Sequence, residues 1–387
     1  MKQVYLDYNA STPIAPEVLE AMRPLLVEAY GNPSSQHWAG APAKQALESA
    51  RGEVAAFLGC SPGEVIFTSG GTESNNHAIK GTFFAQRERG AHNITTQIEH
   101  PAVLQPCSFL EGLGAEVTRL PVDGTGMVNP EDVGKAINPR TILVSIMSAN
   151  NEVGTIQPIA EIARITRERQ VVLHTDAAQA AGKIPTNVNE LGVDLLSVAG
   201  HKLYAPKGVG ALYVRQGVQL EPLLHGAGHE SGRRAGTENV LLNIALGAAC
   251  KLMVAGLERR GKELTQLRDS FHAGLTELFG ANLRLNGHPT ARLPNTLNVS
   301  FLGRLGSDLL AGLPGVAAST GSACHTGRRE LSPVLKAMGV PEAEGLGAVR
   351  FSLGRWTTKA DIDHVLNLFV APANSCLLPR HGVNERG

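Results

Sequence analysis

The stretch DLLSVAGHKLYAPKGVGALYV, residues 194–214, contains two apolar segments separated by a turn rich in glycine and proline. The segments DLLSVAG (194–200) and GALYVR (210–215) are rich in Val and Leu, which predicts two strands. Lys202 follows the first strand directly, which is unusual because lysines avoid burial. A partly buried lysine has a lowered pKa and can act as a nucleophile that forms a Schiff base. A surface lysine is the alternative that this stretch alone leaves open.

Five further apolar segments precede this stretch and alternate with helical patterns. The segments are EVIFTS (64–69), HNITTQ (92–97), EVTRLPV (116–122), TILVSIM (141–147) and VVLHTD (171–176). Helices are predicted over residues 37–58, 73–88, 101–113, 130–137 and 158–169. Strands that alternate with helices are typical of βαβ units, so the sequence predicts an α/β fold with a mostly parallel, seven-stranded sheet.

The pattern changes after about residue 238. One long helical stretch is predicted over residues 238–279. It is followed by strands in RLPNTLNVSF (292–301) and AVRFSLG (348–354), and by a helix near 359–370. The predicted organisation has three parts, which are a large domain (16–255), a smaller α+β domain (1–15 and 256–370) and a loosely held tail (371–387).

Composition excludes several classes of protein. The chain has 387 residues, and Lys plus Arg and Asp plus Glu both number 35, so the formal net charge is zero. This balance argues against direct nucleic-acid binding and against a membrane-surface protein. The five cysteines include no C-x-x-C pair, so no zinc or iron–sulfur site is predicted. The first residues have no signal-peptide pattern, and we expect a reducing, cytoplasmic location.

The segment FTSGGTESNNHAIKG, residues 67–81, runs from a predicted strand through glycines into a predicted helix. Glycines at such a turn let backbone N–H groups approach an anion, and a helix N-terminus favours negative charge. Thr72 can add a hydroxyl donor. The segment therefore predicts a phosphate site, although a glycine-rich turn with a Thr cap is equally compatible with it. The lysine and spacing of a P-loop and the G-x-G-x-x-G spacing are both missing.

Two further predicted strands are followed by or end in ionisable residues that could take part in catalysis or binding. Asp176 ends VVLHTD, at the edge where open α/β sheets bind ligands, although it could simply cap the next helix. His100 follows another strand end, where an imidazole could stack on a ring and move protons. A phosphate site, a strand-end acid and Lys202 together are what pyridoxal phosphate requires. The lysine forms the Schiff base, and the acid keeps the pyridine nitrogen protonated so that the ring accepts electrons.

From about residue 4 to residue 370, the chain resembles the NifS/IscS-type cysteine desulfurases, which are class-V pyridoxal-phosphate enzymes of fold type I. The matching segments, in chain order, are YLDYNASTP, GNPSS, FTSGGTESNN, EHPAVL, SANNEVG, HTDAAQAAGK, GHKLYAPKGVGALYV, RRAGTEN, LPNTLNVSF, GSACHTG and VRFSLGR. The segments SGGTESNN, RRAGTEN, SACH and SPVL also resemble selenocysteine lyases of the same family.

The resemblance implies roles for individual residues. Lys202 would bind the cofactor covalently, Asp176 would pair with the pyridine nitrogen, and His100 would stack on the ring. The remaining contacts to the ring oxygen and the phosphate would come from Gln179, Asn151, Thr72, His201, Gly71 and Glu73, the last two through their backbone.

The resemblance also implies substrate contacts and a homodimer. Arg350 would bind the substrate α-carboxylate with its planar fork, near Asn151 and Asn9. Thr237 would reach the phosphate of the neighbouring subunit. One position departs from the family, because Ala199 stands where many members have a serine, and a hydroxyl contact to the phosphate is therefore missing.

Cys324 lies in AASTGSACHTGRRELSP, residues 317–333, which predicts an exposed and flexible loop. The resemblance implies that its thiolate attacks the sulfur of L-cysteine, carries it as a persulfide and passes it to acceptor proteins, while L-alanine leaves. Neighbours such as His325 and Arg328 could favour the thiolate. An incidental surface cysteine is the alternative. The other cysteines are expected to be core residues (Cys60, Cys107 and Cys250) or incidental in the tail (Cys376).

Three hypotheses follow for the function. The first is a cysteine desulfurase that supplies sulfur for iron–sulfur clusters, tRNA thiolation or cofactor synthesis. The second is a selenocysteine lyase, which the SACH and VAGHK segments keep open. The third is a catalytically silent scaffold on the same fold, which the presence of all the key side chains disfavours.

Overall fold

The computed structural model describes residues 2–28, 30–320 and 330–370. Its strands are β1 (Val4–Tyr5), β2 (Val65–Thr68), β3 (His92–Thr96), β4 (Glu116–Leu120), β5 (Thr141–Ser145), β6 (Val172–Asp176), β7 (Leu195–Ala199), β8 (Gly210–Val214), β9 (Leu283–Asn286), β10 (Thr296–Phe301), β11 (Val316–Ala317), β12 (Ser319–Thr320) and β13 (Ala348–Ser352). Its α-helices are α1 (Pro16–Met22), α2 (Leu25–Glu28), α3 (Gly40–Leu58), α4 (Gly71–Gln86), α5 (Pro101–Glu111), α6 (Pro130–Ala136), α7 (Ile159–Glu168), α8 (Val188–Leu191), α9 (Val240–Val254), α10 (Leu257–Phe279), α11 (Gly306–Ala311), α12 (Pro333–Ala337), α13 (Glu342–Gly345) and α14 (Lys359–Val370).

The described residues form one large sheet with the strand order β2-β8-β7-β6-β5-β3-β4. All neighbours pair in parallel except at β8, which runs antiparallel to both β2 and β7. Strands β3, β5, β7 and β8 are buried along their whole length, as expected for a sheet covered on both faces. The predicted mostly parallel, seven-stranded sheet and its α/β class are confirmed.

Helices cover both faces of this sheet. On one face α3 packs against α9 so closely that a Cβ on Gly247 would lie 2.8 Å from the Cα of Ala50. On the other face α4 and α5 bury Phe83, Val103 and Leu110. The five helices predicted between the strands are all present, with bounds shifted by at most three residues.

A smaller antiparallel sheet has the order β12-β13-β10-β9. Phenylalanines from this sheet and from α10 and α14 form a separate apolar core, in which Phe279 contacts Phe301 at 4.9 Å and Phe369 at 5.3 Å between ring centroids. The predicted smaller α+β unit is therefore present. Its proposed boundary at residue 256 stays a prediction, and the predicted tail lies outside the described residues.

The single long helix predicted over residues 238–279 is wrong, because α9 and α10 are separate helices that meet at an angle of 74°. Gly256 breaks the pattern, with φ of −158° and ψ of 19°. Arg260 stabilises the break, since its guanidinium donates to the carbonyl oxygens of Leu252 (2.9 Å) and Met253 (2.6 Å) at the end of α9. Within the described ranges no single helix is long and apolar enough to span a membrane, and only this bent pair taken together meets those criteria.

The N-terminal segment joins the two sheets. Strand β1 pairs in parallel with β11, and Asp7 bridges to Ser352 at the end of β13. Five residues further on, the backbone N–H of Thr12 donates to the carbonyl of His201 at 2.9 Å, next to the large sheet. Residues 4–12 therefore contact both the small sheet and the turn that follows β7 of the large sheet.

Candidate active site

A cavity of about 490 Å³ opens at the carboxyl ends of β6 and β7, which is the edge where open α/β sheets bind ligands. Ten of the residues that the sequence analysis selected line this cavity. They are Asn9, Gly71, Thr72, His100, Asn151, Asp176, Gln179, His201, Lys202 and Arg350. Residues from several distant parts of the chain thus face one space.

Lys202 lies in a short 3₁₀ turn, Gly200–Lys202, that follows β7 directly. Its Nζ donates to the backbone carbonyls of Asn9 (2.5 Å) and Ala10 (2.8 Å). Burial and the charge of Arg350 lower the pKa of Lys202 to about 8, against a smaller opposing effect of the acids nearby. A substantial fraction of this amine is therefore unprotonated and nucleophilic at neutral to slightly alkaline pH.

Asp176 is the last residue of β6 and is only 6% exposed. One carboxylate oxygen accepts from the backbone N–H of Ala178 at 2.9 Å, and the other accepts from Nδ2 of Asn75 at 2.7 Å. These two donors hold the carboxylate in place as an acceptor at the cavity wall.

Asn75 was missed by the sequence analysis, although it lines the cavity and contacts Asp176. Its Oδ1 is buried and has no hydrogen-bond partner in the described part of the chain. A signal was present, because Asn75 lies four residues after Gly71 and therefore on the same face of α4.

The N-terminus of α4 borders the cavity at Gly71 and Thr72. Gly70, which precedes the helix, has φ of 148°, a conformation that favours glycine. The first N–H groups of a helix have no partner within it, so they are available to an anion. Ala199 also lines this part of the cavity, and a Cβ on Gly71 would lie 3.2 Å from its methyl group.

Two selected residues do not line the cavity. The carboxylate of Glu73 pairs with Arg234, with Oε1 2.9 Å from Nε, so any role in the cavity would come from its backbone. Thr237 is exposed, three residues beyond Arg234 and away from the cavity of its own chain. Its proposed contact with a neighbouring subunit stays a prediction.

The two cavity histidines have lowered pKa values. Burial lowers the pKa of His100, with the Lys202 charge adding to this effect and Asp176 opposing it. Burial and the neighbouring lysines lower the pKa of His201 to about 4. Nδ1 of His100 accepts from the N–H of Ala102 at 3.1 Å, so the proton of the neutral ring is on Nε2. Both rings are therefore neutral near pH 7.

Arg350 reaches the cavity from β13. Its Nη2 pairs with the carboxylate of Asp7 at 2.7 Å, and its Nη1 donates to the carbonyl of Asn151 at 3.0 Å. Its buried Nε has no partner among the residues that the structure describes, so this donor remains for a ligand. The sequence analysis missed Asp7, because nothing local to YLDYNASTP indicates its partner.

Three of the five cysteines, Cys60, Cys107 and Cys250, lie among the residues that the structure describes. Cys324 and Cys376, like His325 and Arg328, lie outside the described residues. Cys107 and Cys250 are buried, which confirms them as core residues, whereas Cys60 is half-buried just after α3. Burial raises the pKa of all three described thiols, to about 12 for Cys60 and Cys107, so none of them is a ready thiolate.

The chain is similar to known proteins over almost its whole length. The aminotransferase class-V family model matches residues 4–365. The cysteine desulfurase IscS of Dictyoglomus turgidum is 50% identical over 369 residues, which cover 95% of this chain and 93% of that protein. The IscS of Methanosarcina thermophila is 51% identical, covering 95% of this chain and 91% of that protein.

Solved structures show the same similarity. A NifS-like protein superposes with a TM-score of 0.89 at 40% identity, covering 97% of this chain and 99% of that one. SspA, solved in complex with cysteine, superposes with a TM-score of 0.81 at 38% identity, covering 92% of this chain and 99% of that one.

The fold and the cavity define a pyridoxal-phosphate enzyme of fold type I. The chain belongs to the class-V aminotransferase family and, within it, to the NifS/IscS-type proteins, so the resemblance inferred from the sequence is confirmed. Members of this family use pyridoxal phosphate. The residues present fit that cofactor, because the Lys202 amine, the Asp176 carboxylate and the N-terminus of α4 all border one cavity.

Proposed function

We infer that this chain is a pyridoxal-phosphate-dependent cysteine desulfurase that takes sulfur from L-cysteine onto Cys324 and releases L-alanine. The observation that carries this inference is the placement of Lys202, Asp176 and Arg350 around one cavity, together with full-length similarity to cysteine desulfurases. Bound there, the cofactor would supply a conjugated ring that accepts electrons from the substrate.

The chain's own residues would divide the work of binding. Lys202 would bind the cofactor, Asp176 would face the pyridine nitrogen, and Thr72 with the N-terminus of α4 would hold the phosphate. Gln179 and Asn151 would contact the ring oxygen, and His201 would add a neutral donor to the phosphate. Arg350 would bind the substrate carboxylate, because its Nε, which has no partner among the described residues, is a charged donor that remains for one carboxylate oxygen.

Proton transfer would fall to two neighbouring groups. The free amine of Lys202 can take the substrate α-proton, because its lowered pKa leaves it partly unprotonated. Neutral His100 lies in the same cavity and can share this role.

Sulfur transfer would balance without any further reactant. The Cys324 sulfur forms a bond to the substrate sulfur as the substrate Cβ–S bond breaks. The electron pair of that bond stays with the three-carbon product, which gains protons and leaves as L-alanine. Cys324 is left as a persulfide, whose outer sulfur an acceptor protein can take up.

The deciding test is release of alanine from L-cysteine and from L-selenocysteine by the wild type and by Cys324→Ala. We expect wild type to act on cysteine and Cys324→Ala to lose that reaction while keeping the visible absorbance of the bound cofactor. Cys60→Ala is the matched control and should leave the activity unchanged, since its thiol has a raised pKa. Turnover of selenocysteine alone by wild type would instead favour a selenocysteine lyase. Full activity of Cys324→Ala on cysteine would contradict the carrier role.

Partners and location complete the proposal. The acceptors would be proteins of iron–sulfur cluster assembly or of tRNA or cofactor thiolation, and the enzyme would be a homodimer in which Thr237 completes the partner's phosphate site. A cytoplasmic location is the one that the neutral composition and the cysteine usage favour.

A further inference from the structure

Lys183 lies behind the cavity wall and contacts Gln179 twice. Its Nζ donates to the side-chain Oε1 of Gln179 at 2.9 Å and to the backbone carbonyl of the same residue at 3.0 Å. Gly182 allows Lys183 to contact Gln179, because its φ of 75° turns the chain. A Cβ at this position would lie 2.5 Å from the Leu203 side chain. Lys183 is therefore held against Gln179 by the backbone as well as by its own hydrogen bonds.

The opposite end of the Gln179 amide is also fixed. Nε2 of Gln179 donates to the backbone carbonyl of Asn9 at 3.0 Å. That carbonyl accepts from Nζ of Lys202 as well, at 2.5 Å. Gln179, Asn9 and the Schiff-base lysine are thus joined through one shared acceptor.

These partners leave only one orientation for the amide. The amide oxygen faces Lys183, whose amine can donate to it in either protonation state. A backbone carbonyl can only accept, so the atom that faces Asn9 must be the amide nitrogen. Gln179 therefore presents an NH₂ group to the cavity, with one hydrogen used by Asn9 and the other available to a ligand.

We propose that Lys183 is a positioning residue that fixes the Gln179 amide with its N–H towards the ring oxygen of the bound cofactor. The proposal rests on the cofactor-binding role given to Gln179 above. Without Lys183 the buried amide oxygen loses its donor, and the flipped amide would turn an oxygen towards a ring oxygen that itself carries negative charge.

The charges around Lys183 support this arrangement. Burial, with repulsion from Lys202 and Arg350, lowers the pKa of Lys183 to about 7, and the two Gln179 oxygens accept from its amine. The charged and titratable groups that face Lys202 itself are Asp7, His100, Asp176, Lys183, His201 and Arg350.

The experiment measures the pH midpoint of the visible absorbance of cofactor-loaded enzyme and the dissociation constant of pyridoxal phosphate. An N–H donor at the ring oxygen stabilises negative charge there and so disfavours protonation of the lysine nitrogen bound to the cofactor. In Lys183→Met we expect the midpoint to rise by about half to one pH unit and the cofactor to bind about 3- to 10-fold more weakly. Lys183→Arg, which keeps the donors and the charge, should restore most of both values.

Two further variants separate this role from a general loss of structure. Lys251→Met is the matched control, because Lys251 is an exposed lysine on α9 that pairs only with Glu53. Gln179→Met should shift the midpoint in the same direction as Lys183→Met, and the double variant should add little to it.

An unchanged midpoint in Gln179→Met overturns the proposal even if Lys183→Met does not fold. Equal, fully additive shifts in the double variant also overturn it, since Lys183 would then act independently of Gln179. A wild type that binds no cofactor and shows no visible absorbance would contradict the proposed function itself, which makes that failure distinguishable from failure of this inference.

Discussion

Asp7 and Arg350 lie 343 positions apart in the chain and form an ion pair of 2.7 Å at the edge of the cavity. The pair occupies Nη2 of the guanidinium and the carbonyl of Asn151 occupies Nη1, so the fork is oriented before any substrate arrives. Within the described ranges Nε has no partner. Arg350 is therefore preorganised to receive one carboxylate oxygen through this nitrogen.

Arg350→Lys should raise the KM for L-cysteine by about 10- to 100-fold with a smaller effect on kcat, because an ammonium cannot reproduce a fork held by two fixed partners. Steady-state kinetics of alanine release measures this split. Arg284→Lys is the control, since Arg284 forms an exposed surface pair with Glu344. A fall in kcat alone, with KM unchanged, would show that Arg350 does not bind the substrate carboxylate.

The apoprotein should take up pyridoxal phosphate with a rate that rises with pH to a midpoint near 8. The reason is that only the unprotonated Lys202 amine is nucleophilic, and burial lowers its pKa from 10.5 to about 8. The growth of visible absorbance after mixing gives the rate at each pH. Lys202→Ala should show no such absorbance at any pH, whereas a midpoint close to 10 in the wild type would mean that this amine is freely solvated.

Asn75→Ala should weaken cofactor binding by about 5- to 30-fold, because it removes a donor from the buried carboxylate of Asp176. Equilibrium titration of the apoprotein with pyridoxal phosphate measures the change. The neighbouring Asn76→Ala is the matched control, since Asn76 is half-buried, does not line the cavity and donates to the carbonyl of Thr72 one turn earlier. Equal effects of the two substitutions would refute a specific contribution of Asn75.

Ala199→Ser should tighten pyridoxal phosphate binding by about 2- to 10-fold, because it adds a hydroxyl donor beside Gly71 in the proposed phosphate site. Ala199→Val is the comparison, since it adds bulk without a donor and should weaken binding. The same titration decides the point. If serine and valine both weaken binding, the position is limited by space and the phosphate does not approach it.

The sequence identified candidate site residues where a charged side chain follows a buried strand. Asp176 and Lys202 stand out because a charged residue after an apolar run needs a reason, and continuous apolar runs are what a doubly covered parallel sheet requires. Local pattern cannot show which distant partner a polar residue meets. Asn75 donates to Asp176, 101 positions further along the chain, and its place on the Gly71 face of α4 does not indicate that partner.

The break between α9 and α10 is a second feature that local sequence pattern does not predict. A single glycine within a helical pattern is tolerated in many helices, so Gly256 alone does not predict the end of a helix. Arg260 stabilises the break by donating to the carbonyls of Leu252 and Met253, a contact of the folded chain that the local pattern does not show.

The position of the N-terminal segment has a consequence for how the enzyme is made. Residues 7–10 leave the ribosome well before their partners, which include Gln179, Lys202 and Arg350. A nascent chain cannot close the cavity until β13 has been synthesised. Loading of the cofactor into a complete site is therefore confined to the time after β13 has been translated.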